Sequence, residues 1–286
     1  MTRHSQRQSG IALTVFVLIF FAIAVVFVAN YSLEFTNRNQ AEGARNRVVY
    51  LESMHTRVLD WYRSNAARVD SDMFQASITA DSIISDLAEP LRYGATLELS
   101  NRLTQGPIRF RRMVVWMPNE DDATENPPVF DANTGEFRPC TTEPCRPREF
   151  ITIDGAVVQN ELFQQANSQL DDLAYKAQQY FKAHYLSDAD KDVGINYFRN
   201  PRGDASNSPD YIGSINTFTA IPVSAPNGSV LRALSLSQSY AINPWGNSIE
   251  ASNLEASQST APPYSMAFRS VTPWGFPIIR YAVQPL

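Results

Sequence analysis

From Ile11 to Ala29 the chain reads IALTVFVLIFFAIAVVFVA, nineteen residues among which Thr14 is the only polar side chain. As an α-helix with a rise of about 1.5 Å per residue, the run is roughly 28 Å long, close to the hydrocarbon thickness of a bilayer. Such a segment has few uses. It crosses a membrane, or it is a secretory signal. The ten residues before it, MTRHSQRQSG, contain Arg3 and Arg7 and no acid, and the next basic residue is Arg38. That asymmetry predicts a cytoplasmic N-terminus. A cleaved secretory signal has a shorter apolar core, of about 7–15 residues, and small residues at the cut. Here the run closes on Phe27-Val28-Ala29, which fits that pattern poorly. An uncleaved signal anchor remains open.

Beyond the run the pattern changes without a break. Ala41, Ala44, Val48, Leu51, Met54, Val58 and Trp61 recur at steps of three and four, one face of a helix. No Pro interrupts Ile11 to Ala67, and the lone Gly43 is tolerable inside a helix. The spacing predicts one helix over this whole length, apolar all round in its first half and amphipathic in its second. Its His55 reads as a packing or surface residue and its Arg47 as solvent-exposed.

A short basic stretch ending in Gly10, an apolar helix starting directly at Ile11 and an amphipathic continuation together resemble the type IV pilin and type II secretion pseudopilin family. The resemblance implies cleavage after Gly10 by a prepilin peptidase, with Ile11 becoming a methylated N-terminus. Loss of Arg3 and Arg7 leaves 22 basic against 29 acidic side chains, a net charge of −7. It also implies a single pass of the bacterial inner membrane, a periplasmic head and other pilin or pseudopilin subunits as partners. Most family members carry Glu at the fifth mature position, where this chain has Val15. A carboxylate inside the bilayer is costly and needs a partner. An apolar residue there, with a large head, resembles a minor or tip subunit. Further on, Asn243-Pro244-Trp245-Gly246-Asn247 is similar to the Asp-Pro-Trp-Gly-Asn turn of major pseudopilins. Pro244 sets φ, Trp245 can cover the edge of a core and Gly246 allows positive φ. Pro-Trp-Gly recurs at Pro273-Trp274-Gly275.

The remaining pattern predicts an α+β head of antiparallel sheet with additional helices. A helix is expected over Asp72–Leu91 and strands over Ala95–Leu99 and Ile108–Met117. A surface excursion follows over Pro118–Arg148. Asp154-Gly155 reads as a hairpin turn between Ile151–Ile153 and Ala156–Val158. An amphipathic helix is expected over Asn160–Leu186, then strands over Thr217–Val223, Val230–Ile242, Tyr264–Val271 and Ile278–Val283. The organisation read from this is a basic leader at 1–10, a transmembrane half-helix at 11–29 and an amphipathic half at 30–68. The head then has a first part at 69–158 and a second at 159–286. Hydrophobic residues make up 44% and charged residues 19%, which suits a folded chain rather than a disordered one. A net charge of −5 gives no basic footprint, so no nucleic-acid partner is predicted.

Few residues suggest chemistry. Cys140 and Cys145 enclose four residues, and in an exported chain they read as a small disulfide loop stabilising by roughly 2 kcal/mol. Asp188, Asp190 and Asp192 alternate directly after a predicted helix, a pattern that can wrap a hard cation. Gly194 comes one position late for an EF-hand, and Arg199 stands where the closing Glu would be. The expectation is a partial structural Ca²⁺ loop, completed by Asp204 or Asp210, against an acidic helix cap in solvent. Arg202-Gly203-Asp204 is short enough to arise by chance. Asp121, Asp122 and Glu125 read as a solvated loop, and Arg109, Arg111 and Arg112 as a solvated strand face. No nucleophile elbow, phosphate loop or His-rich metal signature is present, so no catalytic residues are expected. The reading is a non-enzymatic minor pilin or pseudopilin subunit. The rival class is a bitopic envelope sensor or ligand-binding module that keeps an uncleaved anchor.

Overall fold

A computed structural model describes residues 5–71, 78–88, 90–118, 128–140, 149–198, 214–215, 218–223, 230–253 and 262–285, with the backbone alone at 5–16, 214–215 and 253. The chain divides into two compact units, Met1–Met54 and His55–Leu286. Helix α1 runs over Ser5–Val69, 65 residues, so the predicted continuity holds and extends a little at both ends.

Ten of the twelve residues from Val17 to Val28 are large and apolar, and all ten are exposed. Among the described residues, one helix is long and apolar enough to cross a membrane. Three positions expected on the packed face, Ala41, Ala44 and Val48, are also exposed, while Arg47 is half-buried rather than solvated. The buried stripe begins at Leu51 and continues through Met54, Val58, Trp61, Tyr62, Ala66 and Val69.

In the second unit α2 covers Ala80–Leu87. The helix predicted from Asp72 therefore starts later. Ile78 is outside it and 72–77 lie outside the described residues. Thr79 stops the helix from starting sooner. It holds extended dihedrals, its side chain accepts from the Ser82 N–H, and the Ser82 hydroxyl accepts from the Thr79 N–H, a reciprocal capping box. At the other end Ala88 turns left-handed, and Arg57 of α1 donates to the Leu87 carbonyl at 3.1 Å. Trp61 adds an indole bond of 3.2 Å to Asp86.

Strands β1 (Thr96–Leu99), β4 (Arg112–Trp116) and β7 (Phe150–Asp154) form an antiparallel sheet with β4 in the middle. β2 (Leu103–Gln105) and β3 (Ile108–Phe110) pair separately. The single strand predicted over Ile108–Met117 is thus cut at Arg111, because that backbone serves other elements. Its carbonyl accepts from the Gly155 N–H and its N–H donates to the Tyr62 hydroxyl. The excursion predicted over Pro118–Arg148 contains a hairpin, β5 (Val129–Asp131) with β6 (Glu136–Arg138).

Asp154-Gly155 is not a hairpin turn. It ends β7 and starts α3, Gly155–Ser187. Asp154 is the N-cap, accepting from the Ala156 N–H at 2.9 Å. Residues 156–158 belong to the helix that was predicted only from Asn160. Leu170, Leu173, Ala177 and Phe181 are buried along α3, which lies against the last two strands and reaches β3 and β4.

The second sheet runs β12 (Pro277–Val283), β11 (Ser265–Val271), β10 (Glu250–Asn253) and β8 (Ser214–Ile215), with β9 (Thr219–Ala220) also on β10. β8 pairs parallel to β10, and the other pairings are antiparallel. No strand forms over Val230–Ile242. Helix α4, Val230–Ala233, and a 3-10 turn at Gln238–Ala241 stand there. The alternation Leu234-Ser235-Leu236-Ser237 imitates a strand, but Val230, Leu231 and Leu234 share a helical face and all three are buried. The described part of Thr217–Val223 is strand only at β9. The architecture is α+β, a long apolar N-terminal helix and a sheet-rich region of mainly antiparallel pairing with further helices.

Candidate functional site

Within the second unit, four separate pieces of chain converge on one buried carboxylate. Asp70 directly follows α1 and has no exposed surface. Its Oδ2 accepts from the Tyr62 hydroxyl at 2.6 Å and from Gln159 Nε2, on α3, at 2.5 Å. The same Gln159 nitrogen donates to the Ala66 carbonyl at 3.0 Å. Gln159 Oε1 accepts from the Trp245 indole at 2.8 Å. Arg111 adds its backbone N–H to the Tyr62 oxygen at 3.1 Å. The network ties the last turns of α1, the β3–β4 junction, the first turn of α3 and the Trp245 turn into one knot.

Gly155 lets the knot close. A Cβ there would overlap the Tyr62 hydroxyl and the Arg111 carbonyl oxygen. Burial raises the Asp70 carboxyl to about 6, from an ordinary 3.8, although bonds from Tyr62 and Gln159 and the charges of Arg111 and Arg102 pull it down. Burial, then the neighbouring Asp70 charge, holds the Tyr62 phenol well above its usual range. Burial lowers the Arg111 guanidinium. The Arg triplet is therefore not a solvated face. Arg111 is 5% exposed, and Arg112 pairs with Asp154 at 3.2 Å.

Pro244, Trp245 and Gly246 do form a turn, and the second Pro-Trp-Gly repeats its wiring. In the first, the Asn243 N–H donates to the Asn247 carbonyl at 2.8 Å and Gly246 has φ +85°. In the second, the Thr272 N–H donates to the Phe276 carbonyl at 3.0 Å and Gly275 has φ +79°. The residue before each Pro caps its own turn, Asn243 with its Oδ1 and Thr272 with its hydroxyl. Asn243 also donates to the Ser270 hydroxyl and the Val271 carbonyl, which fastens one turn to the strand leading into the other. Trp245 and Trp274 meet edge to face, ring centres 5.8 Å apart. One Trp faces the carboxylate knot through Gln159. The other donates to the Pro107 carbonyl at 3.1 Å.

The acidic loop has local order of its own. Asp188 caps the end of α3, and its side chain accepts from the Tyr197 hydroxyl at 2.6 Å and the Asp190 N–H at 3.2 Å. Asp192 accepts from the Gly194 N–H at 2.7 Å. The Gly194 carbonyl accepts from Tyr264. Asp190 is exposed. Among the described residues no three His, Cys, Asp or Glu side chains are grouped to hold a metal ion. Asp204 and Asp210 lie outside the described residues, as do Arg199, Arg202, Asp121, Asp122 and Glu125. Cys140 is disulfide-bonded, and Cys145, the one other cysteine, falls in 141–148, outside them too. Gly10 and Ile11 are helical in backbone within α1.

A shallow cleft of about 570 Å³ lies between α3 and α4. Lys176, Tyr180, His184, Arg232 and Ser235 are among its lining residues, and no described lining residue is acidic. Neither the sequence pattern nor any motif pointed to it, nor to the Asp70 knot. The signal for the knot was Tyr62 and Asp70 at the end of an amphipathic stripe, with Gly155 in a helix start.

No family profile matches the chain, and no curated protein or solved structure matches it.

Proposed function

We propose that this chain is a membrane-anchored, non-enzymatic filament subunit of the type IV pilin or type II secretion pseudopilin kind, in a minor or tip position. The observation that carries the reading is α1 itself. One 65-residue helix begins with an exposed apolar length and ends with a buried stripe in the sheet-rich unit. A filament subunit needs both parts, an anchor that other helices can surround and a head fixed to its end. In lipid, helices associate through van der Waals packing rather than a hydrophobic drive. The apolar length has the small residues Ala22 and Ala24 among its large ones. The Asn243–Asn247 turn supports the reading, because Trp245 ties it to α3. On this reading the partners are other pilin or pseudopilin subunits, a prepilin peptidase acting between Gly10 and Ile11, and the bacterial inner membrane, with the head in the periplasm. Calcium at Asp188, Asp190 and Asp192 belongs to the proposal as a structural ion only.

Fractionation tests it. The chain should resist carbonate extraction from membranes and, after mild crosslinking, should copurify with sheared filaments. Membrane retention with no filament association would favour the second reading, a bitopic ligand-binding module. The cleft supports that alternative, since Lys176, His184 and Arg232 face it in a chain of net charge −5. Its ligand would be a small anion.

A further inference from the structure

We propose that Asp70 is a proton-operated latch: protonation of its buried carboxyl tightens the seat of the last turns of α1 against α3 and the Asn243–Asn247 turn, and ionisation loosens it. The device does not depend on the filament reading, because every group in it lies in the second unit.

The geometry comes first. Both hydrogen bonds to the carboxyl go to Oδ2, from Tyr62 and Gln159. Oδ1 is buried and accepts none. An ionised carboxylate spreads its charge over both oxygens and needs donors at each. A protonated one carries its hydrogen on one oxygen and still accepts two bonds at the other. A hydroxyl at Oδ1 finds no acceptor and an anionic oxygen there finds no donor, and since an unpartnered neutral group costs less in burial than an unpartnered charge, the arrangement suits the acid better than the anion. The groups facing it from each packed element are known. From α1 comes the Tyr62 hydroxyl, a neutral donor. Gln159 of α3 is neutral, and behind it stands the neutral Trp245 indole. Between β3 and β4 stands Arg111, and ahead of β2 stands Arg102, both of which favour the anion. Burial outweighs them, and the carboxyl rises to about 6.

The direction follows by linkage. Between the ordinary 3.8 and about 6, the folded chain holds a proton that the unfolded chain has released. The stability from this group is complete below 3.8, falls as pH rises toward about 6 and is gone above it. The head is thus held more firmly in mild acid, opposite to the usual loss when paired carboxylates are protonated. From about pH 7.5 down to about pH 5 the folding equilibrium should gain about tenfold from Asp70 alone.

The test uses the full chain in detergent micelles. Chemical unfolding of wild type and Asp70→Asn is compared at both pH values. The ratio of their folding constants should change about tenfold, with wild type gaining in acid. A ratio that stays constant overturns the proposal. A titration of wild type alone, by the ¹³C carboxyl resonance of labelled Asp70, needs no variant. Its midpoint should lie near 6 rather than near 3.8. Tyr62→Phe removes a bond that favours the anion, so the midpoint should then move higher. A wild-type midpoint near 3.8, or one unmoved by Tyr62→Phe, also overturns the proposal.

Discussion

Two lengths of α1 use the same helical backbone to opposite ends. From Val17 to Val28 the helix is apolar on every side and its large side chains stand exposed. From Val58 to Val69 it is apolar on one stripe, and that stripe is fully packed, with Val58, Tyr62 and Val69 at zero exposure. Burying one large apolar side chain is worth about 1.5–3 kcal/mol. The ten exposed side chains are in water in the unfolded chain as well, so they add nothing to folding, and covering them would release roughly 15–30 kcal/mol. The first length gains no stability from cover by the described residues. The second takes it from the chain's own strands and helices. A substitution should damage one length and spare the other.

The largest effect is expected in the first length. Ile19→Arg places a charge that costs roughly 2.5–3.5 kcal/mol at a bilayer centre. Membrane retention and filament entry should fall sharply while the unfolding of the head is unchanged. Arg47→Glu, at a half-buried site outside the apolar run, should be milder on both counts. Equal damage from Ile19→Arg and Arg47→Glu in a fractionation assay would remove the distinction between the two lengths.

Next comes Gly155→Ala, which attacks the second length at its closest approach. Inside a helix this exchange normally stabilises by about 1 kcal/mol. Here the new Cβ meets the Tyr62 hydroxyl and a backbone carbonyl, so the sign should invert to a loss of roughly 1–3 kcal/mol. Urea unfolding measures it, and membrane retention should not change. A stabilised variant would mean that α3 does not seat on Tyr62 as described.

The two Trp turns separate more finely. Trp245→Phe deprives buried Gln159 of its donor and should cost about 1–3 kcal/mol. Trp274→Phe loses a part-buried bond to the Pro107 carbonyl and should cost about 1 kcal/mol. The order of the two unfolding midpoints is the check, since only Trp245 reaches the Asp70 knot.

These residues also show where the sequence was readable. The apolar run from Ile11, the absence of Pro up to Ala67 and the three- and four-residue spacing from Ala41 to Trp61 together located α1 over almost its full length, and the packed positions Leu51, Met54, Val58 and Trp61 follow that spacing. The stripe failed at Ala41, Ala44 and Val48 because periodicity marks which face is apolar, not whether anything covers it. The strands β11 and β12 fall where the sequence placed them, Tyr264–Val271 and Ile278–Val283, with the second Pro-Trp-Gly between them. Asp154-Gly155 was misread because the same pair serves a tight turn and a helix start. Only the later apolar spacing at Val158, Ala166 and Leu170 separates the two. The Leu-Ser alternation of Leu234–Ser237 was local, while the burial of Val230, Leu231 and Leu234 depends on tertiary neighbours. The Asp70 knot was invisible for a related reason. Tyr62 and Asp70 lie eight residues apart, but Arg111, Gln159 and Trp245 come from three distant pieces of chain, and no spacing rule joins those pieces to them.

The smallest effect belongs to the acidic loop. Asp188 is already engaged with Tyr197, and Asp192 with the Gly194 N–H, so an ion must compete with bonds in place. Calcium is expected to raise the melting temperature by about 2–4 °C, the equivalent of roughly 1 kcal/mol in a head of this size. Asp190→Ala should remove the rise. Superimposable melts in calcium and magnesium would take calcium out of the proposal and leave the rest standing.

The N-terminal residue of the protein isolated from its native membrane bears on whether the exposed length of α1 is an assembly helix. Intact-mass and peptide mass spectrometry of that material should find the chain beginning at Ile11, with a methyl group on its amine and residues 1–10 absent. A chain that retains residues 1–10, or one that begins near Asn30 after loss of the apolar run, would contradict the filament-subunit reading.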